Sequence, residues 1–190
     1  MTNLVWGVGL NDAGYPVKKK IAGKWTHCPY HQKWEKMLER CYNPKYQAKN
    51  PTYLDCRVSN DWRIFSNFKN WMLSQIWQGN ELDKDLLNPG NKIYSESNCV
   101  FLDSMTNKFL LECTASRGLW PVGVSWHKQV KKFQANCQNP FTRKKEYLGL
   151  FACPEEAHKI WRKRKNELAQ LLADKQKDVR VAEALRQRYN

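Results

Sequence analysis

The chain has 190 residues, 42% of them apolar and nine of them Trp, with 32 Lys+Arg against 18 Asp+Glu for a formal net charge of +14. That length holds one medium domain or two small ones, and the apolar fraction excludes a disordered chain. No apolar run reaches the roughly 20 residues of a membrane span, so the charge points to nucleic acid as the polyanionic partner, with no membrane.

Residues 1–30 mix turn formers (Gly7, Asn11, Asp12, Gly14, Pro16) with short apolar runs. They read as an irregular lead-in with a hairpin around 11–14, followed by Lys18-Lys19-Lys20 in a solvated loop. Over 31–42, Trp34, Met37, Leu38 and Cys41 recur at i, i+3, i+4 and i+7, which predicts a core helix. A connection containing Pro44 and Pro51 leads to a short strand over 52–58. A second helix is expected over 60–78, started by Ser59, Asn60 and Asp61 and carrying Trp62, Phe65, Phe68, Met72 and Ile76 on its apolar face. Its aromatics read as core rather than as a base-stacking surface.

The seven Cys are odd in number and lack the dense spacing of a secreted disulfide scaffold, so reduced thiols are expected. Cys28, His31, Cys41 and Cys56, with Cys99, invite a structural zinc site. Only Cys28 and His31 have a tight spacing, so buried free thiols are the better reading.

The segment 82–107, LDKDLLNPGNKIYSESNCVFLDSMTN, spells strand, loop, strand, helix. Leu82 and Asp83 open it, Asn88-Pro89-Gly90-Asn91 turns it, Cys99 to Leu102 form a short apolar run, and Asp103 caps a helix. This segment, with Trp34, Arg40-Cys41, Cys56, Trp62, Phe65 and Tyr94 around it, resembles the HNH (ββα-metal) homing endonucleases of phages, over about 28–110. The resemblance implies a ββα nuclease site in which Asp83 and Asn107 hold Mg²⁺ or Mn²⁺ and Asn98 is the central Asn. Three of the four motif positions match, and the fourth, a His that takes a proton from the attacking water, is Lys84 here. A Lys with a reference pKa of about 10.4 is protonated at neutral pH, so Lys84 serves as base only if burial strips its charge, and Asp85, two residues from Asp83 and therefore on the same strand face, is the second candidate.

Thr114, Ser116 and Gly118 mark a linker over 114–120, closing a first domain over 1–113. Beyond it, strands are expected over 122–129, 133–138 and 146–151, then a long helix from Pro154, giving a second domain over 121–174. Gly123-Val124, Ala135, Leu148-Gly149, Phe151 and Glu155-Glu156-Ala157 resemble the DNA-binding domain of the plant ethylene-response-factor type, over about 45 residues. The resemblance implies a three-stranded antiparallel sheet packed on one helix and reading the major groove of double-stranded DNA. Strand alternation turns Val124, Ala135, Cys137 and Leu148 to the helix and leaves Ser125, His127, Gln134, Asn136, Gln138, Lys145 and Tyr147 on the free face. Lys128, Lys131, Lys132, Arg143 and Lys144 supply phosphate contacts at the rims. Lys159, Arg162, Lys163, Arg164 and Lys165 form a basic run on the helix, either solvated or phosphate-binding. Residues 175–190 form a tail helix on Val181, Ala184 and Leu185 that packs on the body or pairs with another chain.

The fold class expected is therefore α+β, a helix-rich ββα-metal domain followed by a small sheet-plus-helix domain. The function expected is a sequence-targeted, metal-dependent DNA endonuclease, nicking one strand as a monomer or weak dimer. Its rival is a non-catalytic DNA-binding or regulatory protein on a degenerate HNH scaffold, and a third reading gives the tail a host protein as partner. No leader is read at the N-terminus, so the cytoplasm, or the host cytoplasm for a phage protein, is the expected location.

Overall fold

The computed structural model describes residues 4–111 and 119–190 and is mixed α+β, with six α-helices and sheets of two or three strands among the described residues. No described helix is long and apolar enough to cross a membrane. Chain contacts divide it into two compact units, 1–102 and 103–190.

The first unit opens with a hairpin of β1 (Lys18–Ile21) and β2 (Lys24–His27). Its turn residues Ala22 and Gly23 both have positive φ, 47° and 79°, as a tight two-residue hairpin turn of right-handed strands requires. The Lys18-Lys19-Lys20 triplet is thus an exposed strand and not a loop. Helix α1 (Pro29–Tyr42) buries His31 together with the expected Trp34, Met37, Leu38 and Cys41. It stops because Pro44 holds Asn43 extended, and Asn43 in turn caps α2 (Pro44–Lys49) by accepting from Lys45 N and Tyr46 N.

The strand expected over 52–58 shrinks to β3 (Arg57–Val58), which pairs in parallel with β5 (Ile93–Tyr94). The second helix is also shorter than its apolar pattern implies. A 3-10 turn over Asp61–Arg63 precedes α3 (Phe65–Leu73), and Ile76 lies beyond it, 54% exposed. Ile64 at the N-cap offers no side-chain acceptor, and Asp12 supplies one from 54 residues away, accepting from Ser66 N at 2.9 Å and Ser66 Oγ at 2.5 Å. Trp62, Phe65, Phe68 and Trp71 are buried, and the Trp34 indole N–H donates to the Trp62 carbonyl at 2.7 Å, tying α1 to the turn that leads into α3. Strands β4 (Glu81–Asp83) and β6 (Val100–Leu102) pair antiparallel, with Asp83 opposite Val100.

The second unit begins with α4 (Ser104–Leu110), whose cap Asp103 accepts from Met105 N and Thr106 N at 2.8 and 2.9 Å. The sequence places α4 in the first domain, but it packs with residues of the second unit. Lys165 Nζ donates to the Phe109 carbonyl at 2.6 Å, and Gln176 donates to Thr106 Oγ1 at 3.0 Å. Most of the expected linker lies outside the described residues. Strands β7 (Val124–His127), β8 (Lys132–Gln138) and β9 (Lys145–Phe151) form one antiparallel sheet in that order. It packs on α5 (Pro154–Ala173), which begins with proline as expected. Helix α6 (Val179–Gln187) folds back on α5, burying Val181, Ala182 and Leu185, so the tail covers its apolar face within its own unit.

Candidate functional site

Strand β4 ends at Asp83 because its carboxylate replaces the ladder. Asp83 Oδ1 accepts from Asp85 N at 2.9 Å and from Leu86 N at 2.7 Å, the local turn that Asp side chains favour. Asp85 therefore lies beyond the strand, and the two-residue periodicity that would set it beside Asp83 does not apply. Burial raises the Asp83 pKa, against the two N–H bonds that lower it. No hydrogen bond to Asp83 Oδ2 is found among the described residues.

Lys84 is buried, 5% exposed, between buried Leu82 and Leu86. Its ammonium donates to Asp85 Oδ1 at 2.7 Å and to the Asn91 carbonyl at 2.9 Å, and stands 5.9 Å from the Tyr94 ring centroid. An ammonium has three donors and no lone pair, so a donor stands at the position where the resemblance leads one to expect a proton acceptor. Asn91 answers Lys84 in kind. Its Nδ2 donates to the Lys84 and Ile93 carbonyls, and its Oδ1 accepts from Asn98 Nδ2 at 3.2 Å. Asn98 also donates to the Ile93 carbonyl and accepts from Asn88 Nδ2 at 2.9 Å. Three amides and one ion pair thus close the loop between β4 and β6. Sequence reasoning marks Asn88 and Asn91 only as turn formers, and the Asn-rich composition of the loop is the signal for their further role.

Asn107 lies on α4, part-buried, in the second unit. Among the described residues, no three His, Cys, Asp or Glu side chains group as ligands of one metal ion. His31 packs edge-on against Phe65 at 5.1 Å and beside Trp34 at 5.2 Å, and burial lowers its pKa. Burial pushes the Cys41 and Cys99 thiols up to about 12.

In the second unit the sheet has two unlike faces. Ala135 and Cys137 are buried, and Glu146, opposite Cys137, meets Arg164 of α5. The alternate positions form the other face, which the register orders into rows: His127 beside Lys132, Ser125 with Gln134 and Leu150, Asn136 beside Tyr147, and Gln138 beside Lys145. Every free-face candidate, Ser125, His127, Gln134, Asn136, Gln138, Lys145 and Tyr147, stands on this side. A bulge between Ala135 and Asn136 leaves Leu148 without a partner on β8. Gly149, not Leu148, pairs with Ala135, and Leu150 joins the free face.

Gln134 Nε2 donates to Asn136 Oδ1 at 3.3 Å, while Tyr147 is 60% exposed. Lys128 and Lys131 lie exposed in the β7–β8 turn, Lys132 opens β8, and Arg143 and Lys144 lie exposed in the β8–β9 loop. That loop is fixed by Asn139, whose Oδ1 accepts from Phe141 N and Thr142 N and whose Nδ2 donates to Glu146 at 2.7 Å. The basic run on α5 is largely committed elsewhere. Arg164 pairs with Glu146 and Glu167, Lys165 is buried on Phe109, and Arg162 donates to the carbonyls of Tyr189 and Asn190. Lys159 and Lys163 stay exposed.

No family model matches the chain, and no curated protein or solved structure matches it either.

Proposed function

We propose that this chain is a double-stranded-DNA-binding protein that grips the major groove with the free face of β7–β8–β9 and carries an HNH-like segment lacking its proton acceptor. The observation that carries the reading is the sheet itself, with amides in its middle rows, Lys132 and Lys145 at its ends and exposed cations in both of its turns. Amides hydrogen-bond base edges and cations hold phosphates, which is the division of labour that groove recognition needs. Lys84, tied to Asp85 and Asn91, favours binding without cleavage. Titration of a labelled duplex in chelator tests this reading. Tight binding that weakens steeply with salt is expected, and absence of binding at low salt overturns it.

A second reading keeps the sequence-targeted endonuclease, acting as a nicking enzyme. It rests on the antiparallel β4–β6 pair and on the oxygen that Asp83 leaves without a donor among the described residues. Mg²⁺ or Mn²⁺ there would neutralise the scissile phosphate. Asp83 would ligate through Oδ2 while Oδ1 stays with the backbone, and Asn98 would hold the loop. Supercoiled DNA incubated with Mg²⁺ or Mn²⁺ should then be nicked by the protein and left intact by Asp83→Ala; equal outcomes for the two proteins remove this reading.

A further inference from the structure

We infer that the sheet selects duplexes bearing adenines about two base-pair steps apart, read by Gln134, Asn136 and Gln138 of the central strand. This rests on the DNA-binding reading and goes beyond it in naming the bases. The three amides occupy alternate positions of β8, the middle strand, and so point the same way, opposite to buried Ala135 and Cys137. Alternate strand residues stand about 6.8 Å apart, close to twice the roughly 3.4 Å spacing of base pairs. Three successive amides therefore match bases at every second step.

Residue type then sets the base. An Asn or Gln amide offers an oxygen to adenine N6–H and an N–H to N7, whereas guanine presents two acceptors and calls for Arg or Lys. No Arg stands on the free face, and its cations, Lys132 and Lys145, are at its ends. The Gln134 to Asn136 bond, at 3.3 Å, leaves this chemistry intact. Gln134 keeps its oxygen and a second N–H, Asn136 keeps both of its N–H donors and a second lone pair, and the bond holds the two side chains in a fixed relation before DNA arrives. Leu150, in the same row as Gln134, sets an apolar surface beside the first amide, suited to a thymine methyl.

Selection from a random duplex pool with the full-length chain, at one fixed salt concentration, tests the inference. The enriched duplexes should carry adenines two steps apart. Asn136→Ala and, separately, Gln138→Ala should each lose preference at one of those positions by about 5- to 150-fold. Because Gln138 is exposed at the strand end, its variant guards against a folding defect in the other. Enrichment of guanine at these positions, or salt-sensitive binding with no enrichment, overturns the adenine inference and leaves the DNA-binding reading standing. Failure to retain any duplex overturns both.

Discussion

Lys84 shows how a charged side chain comes to occupy an apolar position. In the run Leu82, Lys84, Leu86 every second residue is buried, so the lysine stem fills an apolar position. Its ammonium is accommodated there because Asp85 and the Asn91 carbonyl receive it. Lys84→Met keeps the stem and removes the donor to Asn91. It should lower stability by about 1–2 kcal/mol, since a part-buried carbonyl loses its partner while Asp85 turns to water. Thermal melting reads the loss, and duplex affinity should not change. Lys84→His restores a lone pair at the position. Under the endonuclease reading it should raise nicking in Mg²⁺ by about 10²-fold or more, the scale of a positioned base; plasmid nicking no faster than the parent's would count against that reading. No local pattern reveals that Lys84 bonds to Asn91, because the two meet only when the loop closes.

At the scale of elements, α1 is readable from the spacing of four apolar residues, whereas the spacing reveals that α3 exists but not where it begins and ends. Its start is fixed by Asp12 across 54 residues, a contact that no local pattern encodes. The join of sheet and helix in the second unit likewise rests on contacts between distant residues. Glu146 accepts from Arg164 Nε at 2.7 Å, Arg164 Nη2 at 3.1 Å and Asn139 at 2.7 Å. The Arg164 bonds, then the Asn139 bond, lower its pKa from 4.5 to about 2. A folded pKa below the unfolded one adds stability above the unfolded value, which is lost as pH falls from 4.5 toward about 2. Glu146→Gln should cost about 1 kcal/mol near neutral pH, a modest figure for a pair open to solvent, and the difference from the parent should vanish at the acid end of that window. Urea unfolding across pH measures both. Gly123 marks the other constraint. Its φ is +80° and a Cβ there would overlap the Trp161 ring. Gly123→Ala should therefore destabilise the second unit by roughly 2–4 kcal/mol through left-handed strain and overpacking, seen as a lowered melting transition.

For the whole molecule, charge is the property with the longest reach. From Ser116 onward the chain carries 17 Lys+Arg against 7 Asp+Glu, +10 of the total +14. The fold separates cations that remain at the surface from those it consumes. Lys128, Lys131 and Lys144 are exposed in the two turns of the sheet. Each changed to Gln should reduce the slope of log affinity against log salt by about 0.9, the release of one counterion per lost phosphate contact. Lys165→Met should leave that slope unchanged and alter thermal stability instead, because Lys165 is buried with its ammonium on the Phe109 carbonyl. Salt titrations of duplex binding by the four variants separate the two groups.

By itself the sequence determined the properties that neighbouring residues share: the basic charge, the apolar face of α1, the proline that opens α5, and the alternation that gathers Gln134, Asn136 and Gln138 on one side. Periodicity and composition are local, and these follow from them. Tertiary structure alone decided where α3 begins, that α4 packs with Lys165 and Gln176, that a bulge puts Gly149 opposite Ala135, that α6 folds on α5, and that Lys84 is a buried donor. Each of these depends on a partner remote in the chain or on the closing of a loop, and no periodicity among neighbouring residues encodes such a meeting.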